Sequence, residues 1–134
     1  MPAGNTGPAV STDEYIRITR EAVVTIGVNR VPTARASDFN PVRYSRLRDI
    51  EAPMLGACYL TEWTQGLVEM YELGEDIEVY RTPDELGAKI AELKRDPTRR
   101  HRMRASAQRR ALHDHSVLRS IGRIGRQLGL SANG

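Results

Sequence analysis

Three short apolar runs, each separated from the next by a segment with the chemistry of a helix, constrain this chain more than any other feature. Val23-Val-Thr-Ile-Gly-Val28, the residues around Tyr59-Leu60, and Ile77-Glu-Val-Tyr80 are β-branched or aromatic and too short for buried helices. They predict buried strands near 23–28, 57–61 and 77–80. Between the first two, Ser45 can cap a helix running to about Leu55, and Gly56 ends it. Between the second and third, Glu62–Tyr71 reads as a brief helix. Strand, helix, strand, helix, strand is the rhythm of a parallel sheet whose crossovers are helices.

The fold class that follows is α/β: half of a Rossmann-like domain, with three parallel strands flanked by helices and a helical C-terminus. At the amino end, Ser11-Thr-Asp-Glu14 has the form of a capping box, and Tyr15, Ile18 and Ala22 recur at helical spacing, so a helix is expected over 12–22. Residues 30–44 hold Pro32, Pro41 and no periodicity, and form a loop. Thr82-Pro83-Asp84-Glu85 opens the strongest helix signal, with Leu86, Ile90 and Leu93 on one face. An arginine-rich helix runs from Pro97 to about His113. A last one starts at Ser116 with Val117, Ile121, Ile124 and Leu128 as its stripe. Residues 1–10, rich in Gly and Pro, are expected as a disordered leader, 11–130 as one domain and 131–134 as a tail. Three strands are few for a parallel sheet, so an edge near 23–28 needs a partner.

Charge is divided unevenly. Residues 1–93 sum to −6 and residues 94–134 to +9, which gives the net +3 of the 134-residue chain. A basic C-terminal third suits a nucleic acid, an anionic membrane surface, or a solvated helix face whose packing partner is missing from this chain. The Arg99–Arg110 run contains no aromatic residue to stack on bases, which argues against nucleic acid. His113 and His115, two apart on a helix, diverge and have no further ligands nearby, so no metal site is expected, and no cofactor. The lone Cys58 lies in an apolar run and reads as a buried structural thiol. With neither a signal-like segment nor a membrane span in the sequence, a cytoplasmic protein is expected.

The chemistry concentrates in residues 43–62. An open α/β sheet binds its ligand where strands end and helices begin, and a helix start attracts phosphate through its free N–H groups and dipole. Arg43, Arg46 and Arg48 bring three guanidiniums to the helix start at Ser45, each able to grip an anion with two donors. Glu51, one to two turns on, can accept from a ribose diol. The alternative is a solvated helix start in which Arg46 or Arg48 pairs with Asp49 or Glu51.

Arg48-Asp-Ile-Glu51, four residues, Gly56 and a strand to Thr61-Glu62 resemble the Arg-x-x-Glu-Ala-x-x-x-Gly element of glycosyltransferases with two Rossmann-like domains. The chain looks most like their CgeB-like (spore maturation protein) group. Leu73-Gly-Glu-Asp-Ile-Glu-Val-Tyr80, Pro83-Asp-Glu-Leu86, Asp96-Pro97 with Arg100-His-Arg-Met103, and His115-Ser116 with Arg119 continue the resemblance over about residues 12–125. It implies the C-terminal, donor-binding part of a glycosyltransferase that moves a sugar from a nucleotide-diphosphate sugar to an acceptor. Ser45 and Arg46 would face the diphosphate, Arg48 would support it and Glu51 would take the ribose. The chain departs from the pattern in three places. Arg43 stands where many relatives carry a second glutamate, Asp76 stands where a Glu is commoner, and Arg119 comes one residue early. The acceptor domain, the first half of the donor domain and any catalytic base are expected to lie outside this chain. The missing half as a partner chain, or a homodimer, would complete the sheet. A non-catalytic module that pairs through its sheet edge is the second reading, and a basic nucleic-acid-binding protein the third.

Overall fold

Each strand forms where the sequence predicts it, one to three residues shorter, and the second ends at Glu62, one residue beyond its expected end. The computed structural model describes residues 7–30 and 43–130. In chain order it contains α1 (Thr12–Glu21), β1 (Thr25–Gly27), α2 (Arg48–Met54), β2 (Tyr59–Glu62), α3 (Leu67–Met70), β3 (Glu78–Tyr80), α4 (Pro83–Arg95), α5 (Pro97–Asp114) and α6 (Val117–Gln127). The strands form one parallel sheet in the order β1-β2-β3, with Ile26 opposite Leu60 and Thr61 opposite Val79. Of the expected leader, residues 7–10 are exposed and without regular structure. Most of the expected loop at 30–44 and the tail at 131–134 lie outside the described residues.

Four helix starts carry side-chain caps, three of them, at Ser11, Thr82 and Ser116, where the sequence places a helix start. Ser11, Thr82, Asp96 and Ser116 each accept, through a side-chain oxygen, the N–H three residues on. The start of α2 differs from expectation. It begins at Arg48, the Ncap position is Leu47, and no side chain caps it, so Ser45 lies outside the helix. Pro53 sits inside α2 and has no N–H for the carbonyl of Asp49 four residues back. The Tyr71 hydroxyl donates to that carbonyl instead, at 2.6 Å, so the helix tolerates its proline through a tertiary contact. Gly56 then ends α2 at φ +84°, a conformation that suits glycine.

Period-two alternation places Thr25, Gly27, Tyr59 and Thr61 on one face and Ile26 and Leu60 on the other. On the first face Tyr59 packs with Ala52 of α2, Ala107 and Ala111 of α5, Leu67, Tyr71 and Ile77. Small residues on α2 and α5 let the two helices approach closely beneath the sheet. A second cluster joins Cys58, Leu93 of α4 and Met103 of α5. Cys58 is fully buried, as expected, and burial pushes its thiol pKa up. The prediction of a buried first strand holds for one face only: Ile26 and Val28 are 41% and 51% exposed, and Val23, before the strand, is 45% exposed. β1 ends the sheet, and among the described residues no helix covers its outer side.

Candidate functional site

The carboxyl ends of the three parallel strands meet at Gly27, Glu62 and Tyr80. Just beyond β1, Asn29 turns its side chain inward and is almost fully buried. Its Nδ2 reaches Asp49 Oδ2 at 2.9 Å, Thr61 Oγ1 at 3.2 Å and the Glu62 carbonyl at 3.0 Å. Asp49 is fully buried too. It accepts further from the Tyr59 hydroxyl at 2.8 Å, from Thr61 Oγ1 at 3.1 Å and from the backbone N–H of Arg46 at 3.0 Å. A buried carboxylate usually needs a cation, but here neutral donors fill its lone pairs. Tyr59 stays a donor at any ordinary pH, because burial and then the charge of Asp49 push its phenol strongly upward.

Gly27 is required by space rather than by φ. A Cβ built there would lie 2.1 Å from the Tyr59 hydroxyl and 2.3 Å from Thr61 Oγ1. The absent side chain is what lets these two hydroxyls reach Asp49 across β1.

Glu62 closes the corner. Its carboxylate is 1% exposed and receives Arg30 Nη2 at 2.6 Å, Arg43 Nε at 3.0 Å and the Asn29 N–H at 3.2 Å. Burial pushes the Glu62 pKa up, but the bonds from Arg30 and Arg43 outweigh it and hold the carboxyl below its ordinary value. The same contact raises the pKa of Arg30. Arg43, expected as a free guanidinium, is therefore committed on its Nε side to Glu62.

The four sequence-predicted residues divide between two places. Ser45 shares a 3.1 Å hydrogen bond with Thr64, just after β2, and Arg46 donates from Nη2 to the Arg30 carbonyl at 2.5 Å and stacks on Tyr44. Both lie at the strand-end corner, and the buried Arg46 Nε has no hydrogen-bond partner among the described residues. Arg48 points elsewhere: its guanidinium bonds the Tyr15 hydroxyl at 2.5 Å and lies over that ring, joining α2 to α1. Glu51 is half-buried, and among the described residues its carboxylate has no ion pair. Neither Arg46 nor Arg48 pairs with Asp49 or Glu51, so the simple solvated ion-pair reading of this helix start does not hold. Sequence reasoning missed Asn29, Arg30 and the central part of Asp49. The available signal was the alternation Thr25, Gly27, Asn29, in which small and polar residues take the positions of a buried face.

Elsewhere, His115 ends α5, with Nε2 3.0 Å from the Met70 carbonyl and its ring edge-on to Tyr71, while His113 turns to Asp114. Among the described residues no group of three or more His, Cys, Asp or Glu side chains could hold a metal ion. No helix there is long and apolar enough to cross a membrane.

A three-stranded parallel sheet flanked by helices, with arginines at its carboxyl edge, defines an α/β protein. A family model described as glycosyl transferase-like matches residues 3–124, nearly the whole chain, and the protein belongs to that family. Membership supports a function of the glycosyltransferase type. No curated protein and no solved structure matches the chain significantly.

Proposed function

We propose that the chain binds the nucleotide-diphosphate sugar of a glycosyl transfer at the carboxyl ends of β1 and β2, as the donor half of a CgeB-like enzyme. The observation that carries this reading is the charge at that corner. Three guanidiniums, of Arg30, Arg43 and Arg46, converge there, against the two carboxylates Glu62 and Asp49. An excess cation at the strand ends suits a diphosphate. Arg46, with donor capacity left on its guanidinium, is the residue that grips the phosphate, and Ser45 lies beside it. Arg48 supports the site indirectly, by fixing α2 against α1. The carboxylate of Glu51, without an ion pair among the described residues, takes the ribose diol.

A nucleoside diphosphate should then raise the melting temperature, and Arg46→Ala should abolish that rise with the unliganded melting point almost unchanged. The loss of one charge-assisted phosphate contact costs roughly 1.5–3 kcal/mol, or tenfold and more in affinity. Glu51→Gln should weaken ribonucleotides much more than their 2′,3′-dideoxy analogues. Equal protection of wild type and Arg46→Ala would remove this corner from consideration.

The exposed side of β1 favours a second reading, an interaction module that pairs through its sheet edge. The two are compatible, since the same edge is where further strands of a complete donor domain would join.

A further inference from the structure

Among the described residues, none covers the apolar face of the last helix. Val117, Ile121, Ile124 and Leu128 recur at spacings of four, three and four and form one stripe, with Leu118 on its flank. They are 54–83% exposed, and no residue of α6 is buried. Such a stripe normally predicts packing against a core, yet here it faces solvent. The opposite side carries Arg119, Arg123 and Arg126, and α6 contains no acidic residue. Among the described residues none of the three forms an ion pair with a carboxylate: Arg119 lies 3.5 Å from His113 Nε2, and Arg123 donates to Ser120.

Whatever covers this helix must be apolar against the stripe and negative around it. A second copy would meet the first condition and fail the second, since it brings the same cationic region, +9 over residues 94–134, against its like. A nucleic acid offers the charge but no apolar medium for five aliphatic side chains. An anionic bilayer supplies both at once: acyl chains for the stripe and phosphates at the level of the helix axis and above, where arginines reach them. With 11 residues, α6 is about 16 Å long and far too short to span, so it would lie in the plane of the interface.

We propose that α6 is an interfacial helix that seats the protein on an anionic lipid surface, stripe inward and arginines at the headgroups. The proposal does not depend on the donor-binding reading.

Vesicle flotation of the full chain tests it, with phosphatidylcholine alone and with an equimolar mixture of phosphatidylcholine and phosphatidylglycerol. The mixed vesicles should bind at least about tenfold more tightly, and the difference should shrink as salt is raised. Ile121→Asp with Ile124→Asp should weaken binding by about a hundredfold or more, because two buried aliphatic side chains are replaced by charges that the bilayer repels. Arg119→Gln, Arg123→Gln and Arg126→Gln together should remove the preference for anionic lipid, at about fivefold per arginine. All five positions are exposed in the folded chain, so the melting temperature should hold in each variant, and this check separates lost binding from lost folding. Absence of binding to mixed vesicles, or binding unchanged by the aspartates, overturns the proposal. So does a lipid-free dimer that the aspartates abolish, which would assign the stripe to a second copy.

Discussion

Glu62 shows how a single side chain sets the electrostatics of the strand-end corner. A carboxylate 1% exposed would be costly alone, and Arg30, Arg43 and the Asn29 amide offset that cost. Glu62→Gln should lower stability at neutral pH by about 2 kcal/mol, within the range for hydrogen bonds to a charged group and reduced because both arginines are partly in water. The pH dependence follows from the direction of the shift. Since the folded pKa lies below the ordinary 4.5, the ion pairs contribute fully above that value and are lost as pH falls through the depressed one. Denaturant unfolding at neutral pH and near pH 3 should therefore show the gap between wild type and Glu62→Gln narrowing in acid. A gap constant across that range would mean that the shape of the side chain matters and its charge does not.

At the scale of elements, Arg104 connects three pieces of chain distant in sequence. Its guanidinium, half-buried on α5, donates to the carbonyls of Arg20 and Ala22 at the end of α1 and of Gly56 before β2. These carbonyls belong to a helix end and a turn, where no backbone N–H reaches them. Arg104→Met keeps most of the aliphatic stem and removes the donors. It should cost about 2 kcal/mol and speed amide exchange across 15–22 selectively, because α1 has few other anchors besides Arg48 on Tyr15. Uniform acceleration over the whole chain would mean that Arg104 supports global folding and does not act as a local clasp. This contrast marks what the sequence could reveal. The helix starts at Ser11, Thr82 and Ser116 were legible because a cap and its N–H are three residues apart. The Ser45 cap failed because its hydroxyl found Thr64, 19 residues on. Asn29 with Asp49 and Thr61, or Arg30 with Glu62, spans 20 to 32 residues, and only the sheet register brings such pairs together. The sheet itself was readable from three apolar runs, and the corner's location from where they end. Which guanidinium stays free there was a tertiary fact: Arg43 is taken by Glu62, and Arg48 by Tyr15.

For the molecule as a whole, the sheet edge decides whether this chain is self-sufficient. Thr25 donates its N–H to the Cys58 carbonyl at 2.8 Å, so by the period of two the N–H of Ile26 faces away from β2. The side chain of Ile26 is exposed on the same strand, and Val23 and Val28 are exposed on either side of it. An apolar edge with outward-facing donors is a template for another strand, and proteins seldom leave one open to water. We expect this edge to be paired in solution, by a second copy, by a chain supplying more of the sheet, or by residues of this chain outside those described. Residues 1–93, which contain the edge, carry the acidic share of the sequence, so pairing there is separate from the cationic surface of α6. Amide exchange at Ile26, read beside Thr25, and light scattering over a wide concentration range distinguish the cases. Protection of both amides in a dimer assigns the edge to self-pairing, and protection in a monomer assigns it to the chain's own residues. Protection that arises only on adding a partner chain would give the sheet its missing strands from outside. A monomer in which Thr25 is protected while Ile26 exchanges freely would show that three strands suffice, and the requirement for a partner would fall.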